Sequence, residues 1–234
     1  KIFDLRFQND DKKIKKIDNQ FIIMAGGRGK RLMPYTQQTP KPLLMVRGIS
    51  LLERNVNALY ASGVREIVIN TSWLGSQIED FVNQLDLPDL RISSVYEGEI
   101  PLGTGGGVFN ALKHLQDAPF WVVNADIITS YPFSPIVLAD NALAHLVLVA
   151  NPDHNQDGDF GLNGDQVLNK SHQMHTFSGI SFLSPDIFQG VKQSTFSLAP
   201  LLRKFIRLGL VKGELFLEKW LDVGTIERLN KAVN

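Results

Sequence analysis

Met24-Ala-Gly-Gly-Arg-Gly-Lys-Arg-Leu-Met-Pro-Tyr-Thr-Gln-Gln-Thr-Pro-Lys-Pro-Leu43 decides the fold of this chain. It follows a short apolar segment, Phe21-Ile-Ile-Met24, that reads as a buried strand. Gly26, Gly27 and Gly29 then allow a sharp turn and bring backbone N–H groups close to an anion. Arg28, Lys30, Arg31 and Lys41 put four cations between positions 28 and 41. A strand, a glycine turn and clustered cations make a cradle for a triphosphate. Two other phosphate loops fail on spacing. A P-loop requires Gly-x-x-x-x-Gly-Lys-Ser/Thr, but Gly29-Lys30 is followed by Arg31 and position 24 is Met. The dinucleotide fingerprint requires a glycine where Leu32 stands.

Outward from the cradle, strands and helices alternate as a mostly parallel sheet demands. The spacing predicts helices over 49–62, 77–85, 104–115, 197–208 and 225–232. Strands are predicted at 66–70, 90–96, 120–124, 144–150 and 177–183. From Asn151 the pattern turns irregular, and Asp157-Gly158 and Asn163-Gly164 predict short hairpins. His145 is expected beside a strand, and His172 and His175 in a loop; the five histidines show no metal spacing. The first 20 residues carry a charged patch, Asn9–Lys16, and are read as an extension or linker ahead of one domain over 21–234.

Composition restricts the function classes. Lys plus Arg and Asp plus Glu number 24 each, so no basic field points to nucleic acid or to a membrane surface. The absence of cysteine removes disulfides, thiolate metal sites and a cysteine nucleophile. No apolar run approaches the ~18 residues of a membrane span. Cytoplasmic metabolites are the expected substrates, for a monomer or small homo-oligomer.

Two further constellations carry chemistry. Glu97-Gly-Glu-Ile-Pro-Leu-Gly-Thr-Gly-Gly-Gly-Val108 lies between a predicted strand and helix. Its Thr104, Gly105 and Gly106 place backbone groups and a helix N-terminus against a flat ligand. Glu99 is positioned to accept a hydrogen bond from a base N–H, whether the one of uracil or the pair of guanine. Asp126 ends an apolar strand, where open α/β sheets bind ligands.

The cradle resembles the signature of the sugar-phosphate nucleotidyltransferases, L-x-G-G-x-G-x-R-L-x-P-L-T-x-x-x-P-K-P. Pro101-Leu-Gly-Thr-x-Gly106 and Trp220-x-Asp-Val-Gly-Thr225 resemble that family's base loop and second metal motif. The resemblance implies a Rossmann-like, mostly parallel sheet flanked by helices, the nucleotide-diphospho-sugar transferase fold. A nucleotide-binding part would occupy about 21–140 and a small sugar-binding lobe about 141–234. It implies that Ala25, Gly26, Gly27, Arg28 and Gly29 hold the nucleotide, with Arg31 and Lys41 acting on its phosphates. It further implies that Asp126 and Asp222 hold Mg²⁺, and that Gly161 (in Gly158-Asp-Phe-Gly161) and Gly179 meet the sugar. The compact sugar region resembles the N-acetylmuramate-1-phosphate uridylyltransferases, which implies UTP and a sugar 1-phosphate as substrates. Guanylyl-, cytidylyl- or thymidylyl transfer to a surface-glycan sugar, transfer to a non-sugar acceptor such as phosphocholine, and nucleotide sensing without catalysis are the alternatives.

Overall fold

The computed structural model describes residues 20–233. Apart from Gln20, the extension read over residues 1–20 lies outside them. The chain opens with β1 (Gln20–Met24), a hairpin of β2 (Met45–Val46) and β3 (Ile49–Ser50), and α1 (Leu51–Ala61). β4 (Glu66–Thr71), α2 (Gly75–Asn83), β5 (Arg91–Tyr96), α3 (Gly103–Ala111) and β6 (Phe120–Asn124) follow. Then come β7 (Ile127–Thr129), β8 (Ala144–Val149), β9 (Phe160–Asn163), β10 (Gln166–Leu168) and β11 (Met174–Leu183). α4 (Leu198–Arg207), β12 (Val211–Phe216), β13 (Trp220–Asp222) and α5 (Ile226–Val233) complete the described chain.

Nine strands form one sheet in the order β5-β4-β1-β6-β11-β8-β12-β10-β9. β5, β4, β1 and β6 run parallel, which is the α/β half the sequence predicts. β11 then pairs antiparallel to both β6 and β8, so the sheet becomes mixed from its middle onward. Chain order reverses at β1: α1 leads outward to β4 and β5, while β6 pairs on the opposite side. Met24 and Asn124 are register partners at the carboxyl ends of β1 and β6. At this switch point loops splay to opposite sides and leave a crevice.

The central strands β1, β4 and β6 are buried on both faces, so their apolar residues alternate between two cores rather than between core and water. Phe21, Ile23, Ile69, Trp121 and Val123 face α1 and α2, meeting Leu52, Val56, Leu59 and Ile78. Ile22, Val68, Phe120, Val122, Leu146 and Leu148 face α3 and α4, meeting Val108, Ala111, Leu198, Leu202 and Ile206. A third cluster joins Leu32 and Leu44 of the cradle to Ile128, Val223 and Leu229. It packs the phosphate loop onto the end of the chain.

Helix boundaries follow local chemistry. Ser50 caps α1 by accepting a hydrogen bond from Glu53 N–H at 3.1 Å, so the predicted start at 49 moves to 51 and Ile49–Ser50 joins the hairpin. Asn163 and Gln166 are partners across a two-residue turn, as Asn163-Gly164 predicted. Asp157-Gly158 forms no hairpin; it belongs to the turn that precedes β9. His175, expected in a loop, is buried within β11. No helix among the described residues is long and apolar enough to cross a membrane.

Candidate active site

A cleft of about 200 Å³ opens at the switch point. Ala25, Gly26 and Gly27 form one wall, Pro101, Gly103 and Thr104 the opposite one, and Asn124, Ala125 and Asp126 the floor. The cradle folds back as three short turns at Lys30–Leu32, Tyr35–Gln37 and Lys41–Leu43. Gly29 begins them in the left-handed region, at φ 64°. A Cβ there would lie 2.9 Å from Thr36 Cγ2 and 3.1 Å from Lys41 Cβ, so only glycine brings Lys41 this close. Thr36 Oγ1 donates to Gly29 O at 2.9 Å and locks the return.

Lys41 is the one cation among the described residues that lines the cleft, and it is ion-paired with Asp126. The other predicted cations point elsewhere. Arg28 stacks over Trp73, 4.4 Å from the ring centre, in a shallow depression outside the cleft. Arg31 extends to the opposite end of the cradle, beside Gly224.

Asp126 and Asp222 come together on a two-stranded ribbon. β13 pairs antiparallel with β7 so that Asp222 faces Ile127, and Val223 N–H donates to Asp126 O at 2.8 Å. Asp222 is held by Arg228 Nη1 at 2.8 Å and by His154 Nε2 at 3.1 Å. The Arg228 side chain is 8% exposed, and a Cβ at Gly224 would overlap its guanidinium, so the glycine admits the arginine. Among the described residues no three His, Cys, Asp or Glu side chains form a complete protein cage for a metal. Two hard carboxylates are a donor set that suits Mg²⁺, an ion usually bound through one or two carboxylates together with water and phosphate oxygens.

Glu99 faces outward with Arg28, Trp73 and Tyr96, and it is Glu97 that lines the cleft. Gly98, at φ 98°, turns the chain between them. Asn70 Nδ2 donates to Glu97 Oε1, and Leu102 N–H donates to Oε2 at 3.1 Å. Asn70 Oδ1 in turn accepts the Ala25 N–H at 2.7 Å, so that amide is committed within the protein. Gly107 gives Glu97 its room, because a Cβ there would overlap Oε1.

Gly105 and Gly106 also serve the protein itself. Both amides donate to Phe196 O, at 3.0 and 3.1 Å, and Phe196 N–H donates to Leu102 O. Thr104 lines the cleft while its Oγ1 accepts the Leu198 N–H at 2.9 Å. The segment before α4 therefore caps α3 at Gly105 and Gly106, which takes up two of the donors the sequence offered to a ligand. Gly161 packs on Ser171 within β9 and does not line the cleft. Gly179, at φ 82°, sits where β11 breaks register; a Cβ there would lie 2.6 Å from Asn124 Nδ2 on the cleft floor.

Burial pushes the Glu97 carboxyl above the usual carboxylate range, against the lowering effect of Asn70 and the Leu102 amide. A raised native pKa means that the folded state binds the proton more tightly than the unfolded one. The stability this confers is complete below the unfolded value of about 4.3 and is lost as pH rises through the folded value. Glu97→Gln removes that titration. Its melting temperature relative to wild type is expected to climb from pH 4 to pH 7; parallel curves would refute the assignment.

A family model for nucleotidyl transferases matches residues 20–234. This chain belongs to the nucleotidyl transferase family. A relative from Neisseria meningitidis serogroup B, N-acetylmuramate alpha-1-phosphate uridylyltransferase, is 41% identical over 221 residues, covering 90% of this chain and 95% of its own. The catalytic subunit beta of mannose-1-phosphate guanylyltransferase from Xenopus tropicalis is 35% identical over 119 residues, covering 50% of this chain and 33% of its own. Among solved structures, the inositol-1-phosphate CTP transferase of T. maritima superposes with a TM-score of 0.73 at 18% identity, covering 92% of this chain and 96% of that one. That likeness establishes the nucleotidyl transferase fold.

Asn70 and Glu97, which line the cleft, and His154 and Arg228, which contact Asp222, were not singled out by sequence reasoning. A polar Asn70 ending the apolar Ile67-Val-Ile69 run, beside the cradle strand, was the available signal for the first.

Proposed function

We propose that this chain transfers a uridylyl group from UTP to N-acetylmuramate 1-phosphate, releasing pyrophosphate. The observation that carries the reading is the 41% identity to the N. meningitidis enzyme across 95% of that enzyme's length. The reading implies a cytoplasmic enzyme of peptidoglycan recycling.

A phosphate oxygen of the sugar attacks the α-phosphorus in line; a new P–O bond forms as the bond to the β-phosphate oxygen breaks. The attacking phosphate has its second pKa near ~6 and is largely dianionic at neutral pH, so no general base is needed. The protein's task is to bring two anions together and to neutralise developing charge. Lys41 is assigned the α-phosphate, supported by its place in the cleft. Gly26, Gly27 and Gly29 are assigned the β- and γ-phosphates, with Arg28 and Arg31 at the two ends of the same loop. Glu97 accepts the uracil N–H. Asp126 and Asp222 are the residues that would hold Mg²⁺, and the ion would supply positive charge to offset that of the phosphates. Gly179 and the Asn124 it packs on support the sugar side of the cleft floor.

Guanylyl transfer is the second reading, favoured by the mannose-1-phosphate relative and by the carboxylate of Glu97, which can take both N–H groups of guanine. Pyrophosphate release from UTP, GTP, CTP and dTTP against several sugar 1-phosphates decides between them. Turnover restricted to UTP with N-acetylmuramate 1-phosphate is expected; turnover with GTP and not UTP would replace the reading. Nucleotide binding without release under any pairing would remove catalysis.

A further inference from the structure

We infer that His154 binds the 1-phosphate of the sugar substrate, an inference that rests on the proposed transfer reaction. Three cationic or donor side chains face the Asp126–Asp222 pair: Lys41, Arg228 and His154. Lys41 belongs to the nucleotide side of the cleft. Arg228 is buried and spends Nη1 on both oxygens of Asp222. His154 differs from both: it is 38% exposed and makes one contact to Asp222, at 3.1 Å. It also comes from the loop between β8 and β9, so it reaches the carboxylates from the later half of the chain.

That loop is a built support. Asn151 Nδ2 donates to Gln156 O and to Met174 O, at 2.9 and 3.1 Å. Asn151 Oδ1 accepts from Thr176 Oγ1 at 2.9 Å, and Asn155 Nδ2 donates to the same hydroxyl at 3.0 Å and to Asp159 Oδ2 at 3.1 Å. Asp159 Oδ2 also accepts the Phe177 N–H at 2.8 Å. Residues 151 and 155 are thus both tied to β11, and the stretch of backbone that carries His154 is anchored on each side.

The reaction requires a sugar phosphate to approach two carboxylates. An anion entering there needs a hydrogen-bond donor on the side away from Lys41, and an imidazole nitrogen 3.1 Å from Asp222 is within reach of a phosphate brought up to that carboxylate. A neutral imidazole suffices as donor, so the role does not depend on protonation. The competing role is structural: His154 would only assist Arg228 in holding Asp222.

Kinetics separate the two roles. In His154→Ala, KM for the sugar 1-phosphate that wild type uses best is expected to rise about ten- to a hundredfold, the value of one hydrogen bond to a charged group. KM for the nucleotide and the Mg²⁺ concentration at half-maximal rate are expected to stay within about twofold. His154→Gln, which keeps an N–H donor, is expected to recover most of the loss. Calorimetric titration of the sugar 1-phosphate onto both variants provides the readout independent of turnover. An unchanged sugar KM in His154→Ala overturns the assignment. So does a raised Mg²⁺ requirement with the sugar KM unmoved, because that is the signature of a residue acting only through Asp222. Absence of turnover with N-acetylmuramate 1-phosphate in wild type would count against the proposed substrate alone, since the His154 comparison is made on whichever sugar 1-phosphate is used.

Discussion

Lys41→Ala is expected to lower kcat about 10²–10³-fold while leaving a folded protein, the loss typical of removing one preorganised group that stabilises transition-state charge. The size follows from its setting. Among the described residues no second cation lines the cleft, so nothing stands ready to replace it. Its side chain is 13% exposed, and Gly29 is shaped to bring its Cβ against the loop. Folding should suffer little, because the orphaned Asp126 remains 25% exposed and keeps water as a partner. Pyrophosphate release and thermal unfolding measured on one preparation test both halves. A variant that turns over at more than half the wild-type rate would remove Lys41 from the chemistry.

Asp222→Asn should damage activity and stability together, and the two losses should be separable. Activity is expected to drop about 10³-fold, since a divalent cation supplies several kcal/mol of charge stabilisation and one of its two carboxylates is gone. Stability falls for a different reason. Arg228 is 8% exposed, its Nε has no partner among the described residues, and Asp222 is its counter-charge. Leaving a buried charge uncompensated costs about 3–5 kcal/mol. Asp222→Asn combined with Arg228→Met removes the stranded charge with its partner. The double variant is expected to regain most of the melting temperature and none of the turnover. Recovery of turnover would show that the carboxylate serves the fold alone.

The first half of the fold was legible because its signals are local. Phe21-Ile-Ile-Met24, the glycine turn and Phe120-Trp-Val-Val-Asn124 each announce a buried strand leading to a ligand loop, and all lie where they were read. Asp126 and Asp222 were legible as a pair through two motifs. The ribbon that joins them was not, because β7 and β13 are three residues each and too short to show a period. Glu97 and Glu99 are indistinguishable by composition; only the backbone turn at Gly98 decides which one faces the cleft. Gly105 and Gly106 read as free donors because their acceptor, Phe196, lies some ninety positions away in sequence and carries no motif. His154 was hidden likewise, some seventy positions ahead of Asp222 in sequence. Local pattern reports elements; partners that meet only through the tertiary fold leave no mark on it.

The pairing of β6 with β11 has a practical consequence. Phe120 through Val123 of the parallel half are register partners of Leu183 through Ile180 of the mixed half, and the Trp121 and Phe182 rings meet at a tilt, 5.1 Å between centres, across that seam. The boundary between the halves is a line of backbone hydrogen bonds in the middle of a sheet, not a flexible joint. New sugar specificity therefore cannot be grafted by exchanging residues beyond 140 for those of a distant homologue. Such a chimera would bring a foreign neighbour for Trp121 and a foreign cap for α3. It should misfold unless both surfaces are transplanted with it. Changes of substrate in such a scaffold have to come one side chain at a time, from the loops that leave the sheet.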